Sequence, residues 1–105
     1  MIGIAMSISF DGLHKAFENR IRLGIMSALA VNDALDFSAL KELLEVTDGN
    51  LATHLKTLEK ENFIGVKKTF IDRKPNTSYF ITAEGKSAFE NHLKVLESII
   101  KAQKL

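Results

Sequence analysis

The chain has 105 residues, 46% of them hydrophobic and 26% charged. That balance belongs to an ordinary folded domain and excludes a disordered, collagenous or membrane-embedded chain. With no cysteine, disulfide frameworks and thiolate metal sites are excluded as well, which fits the cytoplasm. Residues 1–105 read as one domain, long enough to bury roughly two-thirds of its unfolded surface. The formal net charge of +1 is a weak footprint for nucleic acid, but it is unevenly spread. Residues 1–49 hold four Lys/Arg against seven Asp/Glu, residues 50–82 six against three, and residues 83–105 four against three. The positive charge is therefore a local patch in the middle of the chain.

Met1 to Phe10 is apolar but short and lacks a basic leader, so it reads neither as a signal peptide nor as a membrane span. It reads as an N-terminal arm or part of a subunit contact, and Met6 is an alternative start. Asp11 is expected to cap a short helix through Glu18, with Leu13 and Phe17 four apart. Asn19 is expected to cap a second helix, R-I-R-L-G-I-M-S-A-L, in which Ile21, Ile25 and Leu29 share a face widened by Met26. Asn32-Asp33 closes it, and Leu35-Asp36-Phe37 alternates as a short strand would. Ser38 is the expected cap of A-L-K-E-L-L-E-V, with Leu40, Leu43 and Leu44 buried. Lys41, Glu42 and Glu45 on the same helix suit a scaffold more than a reading surface.

Thr47-Asp48-Gly49 then makes a brief break before T-D-G-N-L-A-T-H-L-K-T-L-E-K-E-N. Thr47 is a good cap, with Asn50 placed to assist, and Asp48 falls in the first turn, where the helix dipole favours it. Two helices joined by three or four residues including a Gly form a helix-turn-helix pattern. Leu51, Leu55 and Leu58 make one buried stripe. The other side carries Asn50, Thr53, His54 and Thr57, flanked by Lys56, and no carboxylate interrupts it before Glu59. Such a face suits an approach to phosphates and base edges in a major groove. Asn62 is expected to end the helix in a left-handed conformation, with Phe63-Ile64 packed beneath.

From Ile64 to Thr82 the period changes. V-K-K-T-F-I and S-Y-F-I-T read as the strands of a β-hairpin, with D-R-K-P-N-T between them and Pro75 at the tip. The hairpin is basic at Lys67-Lys68 and at Arg73-Lys74. Thr82 is expected to cap a final helix reaching about Lys104. Its stripe of Phe89, Leu93, Leu96 and Ile100, with Val95 and Ile99 alongside, is too extended for one small core. Phe89, Leu93, Leu96, Ile99 and Ile100 are the expected dimer contacts, and residues 83–104 the dimerisation helix.

Catalytic and metal constellations are poorly represented. Ser38, Ser78 and Ser87 lack a nucleophile-elbow context, and Glu42 with Glu45 reads as a solvated face. His14, His54 and His92 have no partner at ligand spacing. An enzyme is the poorest fit.

The order helix, helix, short strand, helix-turn-helix, hairpin, long terminal helix resembles a winged-helix DNA-binding domain. It is similar to small stand-alone transcriptional regulators related to the MarR and ArsR groups. N-R-I-R-L-G-I-M-S-A-L resembles their opening core helix, and T-D-G-N-L-A-T-H-L-K-T-L-E-K-E-N-F-I their recognition helix. R-K-P-N-T-S-Y-F-I-T-A-E-G-K resembles the wing and the start of the last helix. Ala52 stands where many ArsR-type proteins have a phosphate-contacting Ser, and Asn62 replaces the more usual Gly. The cysteine-containing metal-sensing box is missing. The resemblance implies an α+β, mostly α fold: a winged helix-turn-helix with a hairpin wing and a long C-terminal dimerisation helix. It implies sequence-specific binding of double-stranded DNA by a homodimer, with no cofactor and no membrane partner. Asn50, Thr53, His54 and Thr57 would lie nearest the base edges and Lys56 on phosphate. Lys67, Lys68, Arg73 and Lys74 would reach the flanking backbone or minor groove. The alternative expectation is a winged-helix module for protein–protein contact, with DNA binding lost or secondary.

Overall fold

The computed structural model describes residues 9–103. Most of the proposed N-terminal arm and the expected helix end at Lys104 lie outside these residues. A 3-10 turn at Lys15–Phe17 leads into α1, Arg20–Ala30. There follow β1 (Leu35–Asp36), α2 (Phe37–Leu44), α3 (Asp48–Lys60), β2 (Ile64–Ile71), β3 (Lys74–Ile81) and α4 (Ala83–Ala102). The fold is α+β and mostly helical, a winged helix-turn-helix whose strands form one antiparallel sheet in the order β1-β3-β2.

Capping decides most boundaries. Asn19 Oδ1 accepts from the Ile21 and Arg22 N–H groups, Thr47 Oγ1 from Asn50 N–H, and Thr82 Oγ1 from Gly85 N–H, as expected. Each such cap contributes about 1 kcal/mol. Two expected caps differ. Asp11 starts no helix, because Gly12 takes φ +100° where the chain squeezes past Val95 of α4. The only helical turn in that segment is Lys15–Phe17, capped by His14 Nδ1 at 3.0 Å from Ala16 N–H. In α2 the cap is Asp36, not Ser38: Ala39 N–H donates to Asp36 Oδ1 at 2.8 Å. Asp36 ends β1 in an extended conformation, and its carboxylate also answers the dipole of the helix. Phe37 accordingly belongs to the helix.

The core is built from Phe17, Ile25, Met26, Leu29, Leu40, Leu51, Leu55, Leu58, Phe63, Ile64 and Phe89. α2 contributes less than its sequence suggested, since Leu43 is 58% exposed. The inward stripe of this short helix passes through Leu40 and half-buried Leu44, and Leu43 falls beside it. Phe89 is likewise a core residue, its ring edge-on to Phe17 at 5.3 Å between centroids. It is consumed inside the subunit and has no surface to offer a second copy.

Asn62 does end the α3 segment left-handed, at φ 63°. Thr82 Oγ1 donates to Asn62 C=O at 2.7 Å while accepting from Gly85 N–H at 2.9 Å. Thr82 N–H also donates to Phe63 C=O. Gly85 lies so close to that carbonyl that a Cβ there would overlap it. The exit of α3 and the entry of α4 are thus one hydrogen-bonded joint.

Candidate nucleic-acid interface

α3 turns Leu51, Leu55 and Leu58 inward so completely that all three are at most 2% exposed. Burying three leucines at roughly 1.5–3 kcal/mol each fixes the rotation of the helix about its axis. The opposite side is then determined: Gly49, Asn50, Thr53, Lys56 and Lys60 are exposed and Thr57 half-exposed. Thr57 spends its hydroxyl proton on Thr53 C=O at 3.2 Å, which leaves an acceptor oxygen and a methyl group for any partner. Gly49 meets nothing within 4 Å of where a Cβ would be, so the backbone of the first turn is bare. Lys60 was not anticipated. It lies one turn beyond Lys56 on the same face, but flanking Glu59 and Glu61 mask it in the sequence.

His54 sits differently from its neighbours. It is half-buried at the edge of this face, with Nδ1 2.9 Å from Arg22 Nη1 of α1. Arg22 is held in turn by its Nε–H donating to Ala16 C=O at 2.6 Å. Burial, with Arg22 beside it, pushes the His54 pKa below the ordinary 6.5. Arg22 was missed by sequence reasoning, and no local spacing could have joined residues 32 apart.

On its other flank α3 and the sheet enclose a groove of about 300 Å³, lined by Phe37, Ala52, Thr53, Lys56, Glu59 and Tyr79. Burial and the nearby Glu59 raise the Tyr79 hydroxyl pKa. Ala52 brings no hydroxyl here, so Thr53, Lys56, Glu59 and Tyr79 carry the polar chemistry of this edge. At the start of α3, Lys41 Nζ lies 2.8 Å from Asp48 Oδ1. This exposed pair adds little stability, but it offsets the one carboxylate at the mouth of the face.

The hairpin turns more tightly than its sequence suggested. Ile71 pairs with Lys74, so the loop is only Asp72-Arg73, with φ values of 51° and 65°. Both signs are positive, as a type I′ turn requires, a geometry that matches strand twist but favours Asn-Gly or Gly. Pro75 is therefore not at the tip. It lies in β3 opposite Phe70, in a pair that exchanges no ladder bond in this register. Because β1 covers only Ser78 and Tyr79, the outer part of β2 and β3 is a free two-stranded ribbon. It projects by about 3.3 Å per residue. Lys67, Lys68, Arg73 and Lys74 are all exposed on it. So are Phe70 at 76% and Ile71 at 56%.

On α4, Leu93 is 43% and Ile100 69% exposed, and Leu96 and Ile99 are half-buried. Among the described residues no helix is long and apolar enough to cross a membrane. No cluster of three or more His, Asp or Glu among them could hold a metal.

A helix-turn-helix whose second helix turns a hydrogen-bonding face outward, followed by a projecting ribbon, is the architecture of a winged-helix DNA-binding regulator. A model of the winged helix DNA-binding domain matches residues 21–100, and the chain belongs to that family. An uncharacterized protein of Methanocaldococcus jannaschii is 39% identical over 79 residues, spanning 75% of this chain and 86% of that one. A transcriptional regulator homologue from Pyrococcus horikoshii OT3 superposes with a TM-score of 0.79 at 32% identity, covering 86% of this chain and 89% of its own. A protein assigned to the MarR family of transcriptional regulators, from Enterococcus faecalis V583, superposes at 0.67. It shares 20% identity over 85% of this chain and 84% of its own, a likeness of fold.

Proposed function

We propose that this regulator binds DNA sequence-specifically as a homodimer, with α3 in the major groove and the β2–β3 ribbon on the flanking backbone or minor groove. The observation that carries this reading is the outward face of α3. Asn50, Thr53, Lys56, Thr57 and Lys60 lie along one side of a helix whose rotation is fixed by three buried leucines. Among the described residues, none of these side chains is ion-paired. Asn50, Thr53 and Thr57 have the chemistry to meet base edges, and Lys56 and Lys60 to hold phosphate. Lys67, Lys68, Arg73 and Lys74 supply a second cationic surface on the ribbon. Arg73 occupies a left-handed position that costs about 1–2 kcal/mol for a residue with a side chain. The type I′ turn imposes this conformation, and strain of this kind clusters at functional sites, which supports a contact made by the guanidinium.

The dimer reading rests on α4. Leu93, Leu96, Ile99 and Ile100 leave an apolar strip on the half of the helix that has left the core. Two copies joined there would place their α3 helices on half-sites one helical turn apart, about 34–36 Å. Selection of bound sequences from a random duplex pool tests the whole reading. An inverted repeat with one half-site per subunit is expected, together with affinity that falls steeply with salt.

One observation favours a second reading, a module for protein contact. Phe70 and Ile71 are exposed beside the turn of the ribbon, where a purely electrostatic wing has no use for them. Weak, salt-insensitive binding to every duplex would support that alternative.

A further inference from the structure

We propose that Arg22 is a positioning residue for readout, locking His54 as the Nε2–H tautomer so that α3 presents one fixed hydrogen-bond donor at that place. The inference rests on the reading of α3 as the recognition helix. A guanidinium has donors and no acceptor. The 2.9 Å contact between Arg22 Nη1 and His54 Nδ1 therefore requires a lone pair on Nδ1, and the proton of the neutral ring must sit on Nε2. Among the described residues Nε2 has no hydrogen-bond partner, and no unpartnered side-chain nitrogen is buried. Its N–H thus faces solvent beside Asn50 and Thr57.

The lock is itself held. Arg22 Nε–H donates to Ala16 C=O at 2.6 Å, which fixes the guanidinium before it reaches the imidazole. Ala16 is 6% exposed and its neighbour Phe17 2% exposed, so the anchor lies in packed core. The chain of contacts runs from the 3-10 turn through α1 to α3, three elements fixing one ring.

The consequence is chemical selectivity. A free surface histidine exchanges between two neutral tautomers and the imidazolium, offering donor or acceptor as the partner demands. Here the imidazolium is disfavoured by half-burial and by Arg22, the charged group facing it, and Nδ1 is occupied. His54 can only donate. The base opposite must offer an acceptor in the major groove, namely purine N7, guanine O6 or thymine O4. A cytosine or adenine amino group at that point is excluded.

The lock can be read without DNA. Histidine-ring 1H–15N correlation spectra of the full chain at neutral pH should show His54 protonated on Nε2 alone. In Arg22→Met, which keeps the aliphatic stem, the ring should become a tautomer mixture that titrates at higher pH. Selection from random duplex should then show one position per half-site relaxing in both Arg22→Met and His54→Ala. Affinity for the preferred site should fall about tenfold in each, with affinity for random duplex little changed. Arg22→Lys, which retains a cationic donor group, should recover part of that loss. A wild-type ring protonated on Nδ1 overturns the lock, and that measurement stands even if Arg22→Met fails to fold. Unchanged ring spectra in a folded Arg22→Met overturn it too. A locked wild-type ring with unaltered base preference in His54→Ala sinks instead the reading of α3 as the helix that selects sequence, and the proposed base partner with it.

Discussion

Replacing Arg73 with glycine separates two properties that the wing tip combines. The residue sits at φ 65° in a two-residue turn. A left-handed conformation costs about 1–2 kcal/mol for a residue with a Cβ. Glycine removes that strain but adds about 0.5–1 kcal/mol of backbone entropy to be lost on folding. The net expectation is a gain of about 0.5–1 kcal/mol, or a rise in Tm of about 2–8 °C for a domain of this size. Affinity should move the other way. Each phosphate contact contributes close to 0.9 to the slope of log affinity against log salt. Losing one such contact per subunit should flatten the slope by about 1.8 for a dimer and weaken binding to every duplex by a similar factor. Arg73→Ala keeps the strain and loses the charge, so it should copy the binding defect without the stability gain. Adding Lys74→Ala should bring the flattening to about four units per dimer. Thermal unfolding, and fluorescence anisotropy on specific and random duplexes across a salt series, read both effects. If Arg73→Gly kept wild-type affinity and slope, the tip would not touch DNA; if it were less stable than wild type, the account of turn strain would be wrong.

Three further outcomes follow from the same geometry. Asn50→Ala and His54→Ala should each cost about 1–3 kcal/mol at the preferred site and much less on random duplex; an unchanged specificity ratio in both would remove α3 as the reader. Ile100, 69% exposed on the distal half of α4, can be changed to Glu without disturbing the core, and light scattering should then report a monomer where the wild type is a dimer; a monomeric wild type refutes the interface. Acidification should weaken the fold. His92 is 4% exposed and its Nδ1 accepts from His14 N–H at 3.1 Å; burial is the main cause holding its pKa below the ordinary 6.5, with Glu18 opposing and His14 reinforcing. The unfolded chain takes up the proton first, so this stability is complete above pH 6.5 and is lost as pH falls through the lowered value. His54, lowered by burial and Arg22, acts in the same direction. Urea midpoints should therefore drop on acidification, and less so in His92→Gln.

What could be read from the sequence was local. Caps at Asn19, Thr47 and Thr82, the leucine stripe of α3 and left-handed Asn62 depend on neighbours within four residues, and each stands where its spacing put it. Asn50, Thr53, Lys56 and Thr57 turned outward because the buried stripe opposite them was unambiguous. Asp36 and Ser38 are both competent caps two residues apart, and only the end of β1 decides between them. Pro75 looked like a turn residue because Asp72-Arg73 is an unfavoured filling for a primed turn; register, not composition, placed the loop. Periodicity marked the α4 stripe but could not divide it, and Phe89 proved to be spent inside the subunit. Arg22 and His54 meet only through the packing of α1 on α3, which no spacing records.

The joint at Asn62, Phe63, Thr82 and Gly85 makes α4 a caliper arm. Twenty residues of helix measure about 30 Å, and in the proposed dimer the far half is fixed to its counterpart while the near end carries α3. A tilt of about 10° against that fixed half, acting over the near half of about 15 Å, would shift α3 by about 3 Å, close to the roughly 3.4 Å between successive base pairs. The distance between half-sites would then be set where no DNA is touched. Gly85→Ala, wedged against the Phe63 carbonyl, should change which spacer length is preferred while each half-site keeps its sequence.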